Sequence, residues 1–321
     1  MAPETLVIGH GSHRYRVFPD WGTLNPATHP VQDCHEMVID ARGRIFLLTN
    51  ETRNNILIYD RSGKLLDSWG TDYPGGHGLT LSTENGEEFL FITDIERHQV
   101  IKTTLEGKVV MVLDYPQETG QYATAGAFLP TQTAVNPANG DLYVTDGYGM
   151  QYVIQYNNRG EYIRHWGGKG DADEQFDCVH GIALDTRKPD EPTLLITSRN
   201  HNALKRFTLD GQYIHTIPLP GSFVCRPVIH GPHIFAAVFR SITNRNFGSG
   251  YITILDENDR VISTPGGTEP TYADGSLQPQ AQAQAQPVFV HPHDVCIDAD
   301  ENVYVCQWNA NNVYPMRLQR V

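Results

Sequence analysis

The sequence predicts an all-β fold, a six-bladed β-propeller whose ring is closed by an N-terminal strand in the last blade. Three observations carry this. A strand-and-turn unit recurs six times along the chain, most copies opening on a histidine followed by a hydrophobic run: HEMVID at His35, HGLTLS at His77, HGIALD at His180 and HDVCID at His293. The copies start at 35, 77, 131, 180, 226 and 293, giving spacings of 42, 54, 49, 46 and 67, close to the length of a four-stranded blade. The last copy stops after its third strand, and the beginning of the chain holds a segment of the missing kind.

Taken in order, the first copy reads as three or four alternating strands broken by ARGR, ETRN and RSGK turns. The second runs HGLTLSTENGEEFLFITDIERHQVIKTTLEGKVVMVL and the third TQTAVNPANGDLYVTDGYGMQYVIQYNNRGEYIRHWG. The fourth follows from His180, a weaker fifth from Arg226 to YITILDENDRVIST, and the sixth from His293 to MRL. RYRVFPDWG at Arg14–Gly22 resembles the outer strands LLDSWG and YIRHWG, and in the last blade it would remove the open edges that promote aggregation. This describes one domain over residues 1–321. Trp21, Trp69 and Trp166 at the shared Trp-Gly position read as packing residues between blades. The low-complexity run at residues 275–287 accounts for the long fifth spacing and reads as a mobile surface insertion, with a lid as the other reading.

Composition agrees with a turn-rich β globule: 40% hydrophobic residues with 29 Gly and 20 Pro in 321. A formal net charge of −13, with no Lys/Arg stripe, argues against nucleic-acid or anionic-membrane partners. No apolar run approaches spanning length and no signal-like segment opens the chain, so the expectation is a soluble, cytoplasmic protein. Five thinly spread cysteines fit a reducing compartment. Cys34, Cys178 and Cys225 precede channel positions; they read as buried packing residues, with cysteine catalysis the lesser reading.

The first strand of each propeller blade lines the central channel. Aligning the copies puts His35, His77, Thr131, His180, Arg226 and His293 at one level, so four of six channel positions are histidine in a chain with only 14. Three neutral imidazoles at one level, with a coordination position left for water or substrate, are the arrangement that holds zinc or a related divalent ion. His35 reads as a fourth ligand, a proton-transfer group or a channel wall. Asp294 would orient a ligand, hold a second, harder cation such as calcium, or fix the strand start. A second ring of candidates lies where the second strands turn back at the channel mouth: Asn50, Glu51, Asp94, Asp146, Tyr148, Ser198, Arg199, Arg240, Gln307 and Asn309. Asp94 and Asp146 read as turn residues. Tyr148 is the candidate base and Arg199 a candidate carboxylate holder, with His291 a candidate proton shuttle and Asn50, Arg226 and Arg240 candidate substrate contacts.

The blades look like NHL-type repeats. The set YPGGHGLTL, HQVIK, LYVTDGYGM, FDCVHGIALD, ITSRN and HPHDVCID is similar to the catalytic domain of peptidyl-α-hydroxyglycine α-amidating lyase, in the same order from about residue 30 to 318. The resemblance implies a six-bladed propeller with zinc on His77, His180 and His293. It also implies a structural calcium bound partly by Asp294 and by backbone carbonyls of Met37 and Leu79, with Tyr148 as base and Arg199 as an active-site arginine. The implied reaction is elimination: a hydroxyl is polarised, tyrosine takes its proton, and the carbon–nitrogen bond of a hydroxyglycine breaks to give glyoxylate and an amide. The sequence departs from the family at Asn50, which replaces a substrate arginine, at His291, which replaces a methionine, and at His35, which replaces a small residue. Two other functions compete with such a lyase: a metal-dependent hydrolase or isomerase of a sugar or lactone, and a non-catalytic scaffold for a protein partner.

Overall fold

In the computed structural model, described over residues 6–241 and 248–321, the chain is a six-bladed β-propeller. The first four blades are four-stranded antiparallel sheets whose innermost strands are Cys34–Ile39, Gly76–Glu84, Gln132–Val135 and Ile182–Asp185; that of the fifth is Ser222–His230. Each innermost strand packs against the next around the ring. The sixth sheet is built from both ends of the chain, as the sequence leads one to expect. Pro292–Ile297, Val303–Gln307 and Met316–Arg320 are joined by His13–Phe18, in register from Tyr15 opposite Arg320 to Phe18 opposite Arg317. A fifth strand that the repeat pattern does not signal, Val7–His10, folds back on His13–Phe18 as a hairpin and becomes the outer edge.

The gradient from axis to rim explains the composition of the strands. Middle strands such as Ile45–Thr49 and Ile56–Tyr59 are buried on both faces and read as continuous apolar runs, whereas outer strands such as Leu65–Trp69 are exposed or half-buried throughout. The core lies between blades: Val38, Phe46, Leu48 and Ile58 of the first sheet meet Leu79, Leu90 and Ile92 of the second. The tryptophans do pack between blades, each on a glycine of the next blade's outer turn. Any side chain at Gly63, Gly107 or Gly211 would collide with Trp21, Trp69 or Trp166 respectively. The indoles of Trp21 and Trp69 also donate to the Arg61 and Leu105 carbonyls, both at 3.0 Å.

The low-complexity segment is tied down rather than loose. Gln280 is buried, its N–H donates to the Pro220 carbonyl at 2.8 Å, and Gly267 pairs with Gln282 beside the start of the fifth blade. The Gln278 and Gln280 side chains donate to the carbonyls of Ser276 and Gln278 at 3.1 and 2.8 Å, satisfying backbone groups that would otherwise turn to water.

Two predictions concern closure. A chain starting at Asp20 leaves Met316–Arg320 as a bare edge strand; size-exclusion chromatography should show aggregates, and a monomeric truncated protein that unfolds cooperatively would contradict the closure argument. The closing strand also buries His13, whose ring meets that of His233 edge-on at 4.6 Å between centroids. Burial, then the nearby Arg320 and His233, lowers its pKa to about 4, with Glu301 opposing. The unfolded chain takes up this proton near pH 6.5 and the folded chain only near pH 4, so stability is lost as pH falls through that window. Other buried histidines share this window, so His13→Phe should lessen, by one proton's worth, the dependence of the urea midpoint on pH between 6.5 and 4; an unchanged slope would dismiss His13 as a source.

Candidate metal centre in the channel

A bulge near the start of the inner strands builds the site. Pairing with the second strand shifts by one residue between Cys34 and Glu36, between Gly76 and Gly78, and between Pro292 and Asp294, leaving His35, His77 and His293 as the extra residues. A bulge interrupts the alternation of side chains, so two successive residues can face the axis. The first of each pair carries the imidazole; the second forms a level of its own, one step along the strand.

The four histidines converge. Ring centroids lie 5.0 Å apart for His35 and His77, 4.9 Å for His77 and His180, 5.0 Å for His180 and His293, 5.1 Å for His35 and His293, and 5.0 Å for His77 and His293. His35 is therefore part of the cluster and not merely wall. All four are buried. Burial lowers their pKa values, that of His35 to about 3 and those of His77, His180 and His293 well below the ordinary range, so the rings are neutral at physiological pH. Nδ1 of His77 is 2.9 Å from the Thr131 carbonyl and Nδ1 of His293 is 2.9 Å from the His35 carbonyl. A carbonyl only accepts, so each Nδ1 carries the proton and each Nε2 turns a lone pair elsewhere; this second contact is what orients a metal-binding imidazole. Nδ1 of His35 and of His180 is buried without a hydrogen-bond partner. Potential ligand atoms of His35, His77 and His293 lie within 4.8 Å of one another, as do those of His180, Cys225 and His293. Neutral imidazoles, fixed tautomers and unpaired nitrogens together suit a metal ion.

Tyr148 stands over this cluster. Its turn is held by Asp146, which accepts from Leu129 N at 2.8 Å, Met150 N at 2.5 Å and the Tyr122 hydroxyl at 2.8 Å. Asp146 is thus a turn residue, as is Asp94, which accepts from Gly75, Glu96 and Arg97 N–H groups. The Tyr148 side chain is 37% exposed at its flank, but its hydroxyl lies 3.1 Å from Nε2 of His77, 3.0 Å from Nε2 of His180 and 3.2 Å from the Arg199 guanidinium. Burial of the hydroxyl pushes its pKa up to about 12, against the pull of Arg199. Arg199 also lies over the ring of Phe239 at 4.7 Å, and Arg240 lies over the same ring at 4.9 Å and over Phe223 at 4.4 Å. The two guanidiniums thus share one aromatic wall, which His291 joins, 6.0 Å from Phe239 and 5.8 Å from Trp308 between ring centroids. Asn50 is engaged with Asp33, accepting its N–H at 2.9 Å and donating to its carboxylate at 3.2 Å, which stitches the rim rather than presenting a free amide to the channel.

Arg226 departs from expectation. It is not level with the histidines. Pairing of the fifth blade shifts between Val224 and Pro227, placing Cys225 beside His180 and His293 and Arg226 on the second level. There its Nε and one terminal nitrogen grip Asp294 at 3.0 and 2.7 Å, and its terminal nitrogens donate to the carbonyls of Met37 at 3.0 Å and Leu79 at 3.4 Å. Arg226 is therefore committed inside the ring and not offered to a substrate at the mouth. The three groups that the resemblance assigns to calcium, Asp294 with the Met37 and Leu79 carbonyls, are occupied by a guanidinium, and as they stand they do not fit a calcium ion.

These features define a β-propeller with a histidine-lined channel. The chain is similar to peptidylglycine alpha-amidating monooxygenase of Rattus norvegicus, 24% identical over 277 residues, covering 83% of this chain and 25% of that protein. It is also similar to peptidyl-alpha-hydroxyglycine alpha-amidating lyase 1 of Drosophila melanogaster, 24% identical over 291 residues, covering 81% of this chain and 47% of the relative. The chain spans about a quarter of the length of the vertebrate relatives. No family model matches it. Among solved structures, a streptogramin B lyase superposes with a TM-score of 0.59 at 14% identity, covering 97% of this chain and 98% of that one. Virginiamycin B lyase from Staphylococcus aureus follows at 0.55 and 15%, covering 89% and 80%; at these identities the likeness is one of fold. Among the described residues no helix is long and apolar enough to cross a membrane, and all five cysteines are free and buried.

Reading the repeats missed Glu36 and Gln132, and set Cys225 just before the channel level that it shares with His180 and His293. Cys225 and Glu36 stand beside the expected ones and were hidden by the bulges; Gln132, which donates to Glu36 at 2.7 Å, carries no signal except its place after Thr131. Replacing His180 with Ala should lower bound transition metal from about one ion per chain toward zero by elemental analysis, with circular dichroism unchanged. A fully loaded variant would remove His180 from the centre.

Proposed function

We propose that this chain is a metal-dependent lyase acting on a small hydroxylated substrate in its channel, with His77, His180 and His293 as ligands of zinc or a related divalent ion and His35 as a fourth donor. One observation carries the reading: a single tyrosine hydroxyl lies within hydrogen-bond reach of two channel imidazoles and a guanidinium. A lyase-named relative matched over four-fifths of the chain supports it, and so does the suitability of imidazole for borderline transition metals. When bound, such an ion supplies positive charge that polarises a substrate hydroxyl and favours a phenolate.

The chain's own groups account for the rest. Tyr148 accepts the proton of the hydroxyl while that oxygen becomes a carbonyl and the carbon–nitrogen bond breaks. The leaving nitrogen takes a proton back, so the tyrosine ends as it began. Arg199 holds negative charge near the phenol oxygen and is placed to grip a carboxylate, and the aromatic wall of Phe239 and Trp308 flanks it. His291 and Arg240 belong to that wall and are assigned here to shaping the substrate pocket. An N-acylated α-hydroxyglycine is the first substrate to test, with glyoxylate release as readout. A sugar or lactone hydrolase is less well supported, because a hard-cation site is needed and the channel carboxylates Glu36 and Asp294 are already engaged.

Tyr148→Phe should retain metal and fold while turnover drops by about 10²–10⁴-fold, the usual worth of a positioned general base. Turnover equal to that of the parent protein would take Tyr148 out of the mechanism.

A further inference from the structure

The second level of the channel holds an arrangement that the proposed chemistry does not use. Its six positions are Glu36, Gly78, Gln132, Gly181, Arg226 and Asp294, one residue beyond the His35, His77, Thr131, His180, Cys225 and His293 level. Arg226 reaches from the fifth blade to Asp294 of the sixth, the Met37 carbonyl of the first and the Leu79 carbonyl of the second. Glu36 lies 3.7 Å from Nε of Arg226 and accepts from Leu79 N–H and from Gln132 of the third blade, each at 2.7 Å. Asp294 accepts in addition from Met37 N–H at 2.9 Å. The fourth blade contributes space: a Cβ on Gly181 would stand 2.6 Å from the Arg226 Cα. Five blades are bonded through one guanidinium and two carboxylates, and the fourth, with glycine at this level, leaves room for the backbone that carries the guanidinium.

Remove the guanidinium, and two buried carboxylates and two backbone carbonyls from different blades remain around one point. That donor set, all oxygen and rich in charge, is what a hard divalent cation binds. We propose that Arg226 is the resident cation of this propeller, performing from within the chain the cross-blade bridging that a calcium ion would perform, so that the fold is independent of calcium and becomes calcium-binding when the guanidinium is withdrawn. Arginine suits the role because its charge is permanent and its planar fork meets a carboxylate with two parallel bonds while other N–H groups remain for carbonyls. The imidazole level does not confuse the outcome, since calcium prefers oxygen donors and nitrogen ligands suit softer ions. This inference stands apart from the lyase assignment and does not depend on it.

The test is thermal unfolding of the full chain as purified, with calcium chloride titrated from zero to 10 mM, alongside calorimetric calcium titration, for the parent protein and Arg226→Ala. The parent Tm should not move. The variant should melt roughly 5–15 °C lower, as expected when one partner of a buried charge pair is lost, and calcium should restore at least half of that loss with one ion bound per chain. If Arg226→Ala does not accumulate, Arg226→Gln, whose uncharged amide still fills part of the space, replaces it with the same expectation and a smaller initial loss. A parent protein that itself binds calcium and gains stability from it would overturn the proposal. So would a variant that is destabilised yet neither binds calcium nor is rescued by it.

Discussion

A one-residue bulge near the start of the innermost strands decides what this channel contains. In a regular strand every second side chain would face the axis, and the next would be spent in the packing between blades. At His35, His77 and His293 the extra residue lets two neighbours point inward, giving the channel two chemically distinct levels from one stretch of backbone. The convergence depends in turn on closure. Four imidazoles from four blades meet at 5 Å only because the ring is complete, and it is completed by hydrogen bonds between His13–Phe18 and Met316–Arg320, the two ends of the chain.

The two levels complement each other electrostatically. Burial keeps the histidines neutral, so that level presents lone pairs and no charge. The next level holds two carboxylates against one guanidinium, a formal excess of one negative charge if all are ionised. Burial raises the pKa of both carboxyls, Glu36 the more strongly, against the pull of Arg226; any negative excess that level keeps favours a cation among the neutral donors far more in a low dielectric than it would in water. One side of the mouth is positive, with Arg199 and Arg240 on a shared aromatic wall. A cation held among the imidazoles and an anionic group lodged against the arginines would each meet the field that suits it.

The repeat, the blade count and the closing strand were legible because they rest on pattern over many residues: apolar runs bounded by turn chemistry, and Trp-Gly ends that pack on a neighbour's turn glycine. The four histidines were legible for the same reason, one residue type at one place in the unit. What escaped depends on single backbone irregularities. The bulge of the fifth blade has no sequence mark, so alignment by type placed Arg226 where Cys225 stands. Glu36 follows its histidine like any strand residue, and only the fold reveals that it and Asp294 face the same guanidinium. The Val7–His10 strand was invisible because a single copy repeats nothing. The glutamine-rich segment misled because composition indicates low complexity but not whether amides such as Gln280 find partners inside the protein.

The rim explains why the imidazole level and the residues above it need not be inherited together. The imidazoles deep in the channel are fixed by several blades at once, through bulges, tautomer-setting carbonyls and the Arg226 bridge, and changing one disturbs the rest. The rim residues sit on turns that are each held locally: Asn50 by Asp33, Tyr148 by the Asp146 cap, His291 among Phe239 and Trp308. A turn held by its own hydrogen bonds can exchange the side chain it presents without cost to the ring. With Asn50 bonded across to Asp33, the positive charge that a substrate of the proposed reaction would meet, among the described residues around Tyr148, is that of Arg199, so its acidic end would lie against Phe239 and its hydroxyl beneath Tyr148. That polarity belongs to this rim, whereas the imidazole cluster beneath it would serve any substrate that brings an oxygen to the same point.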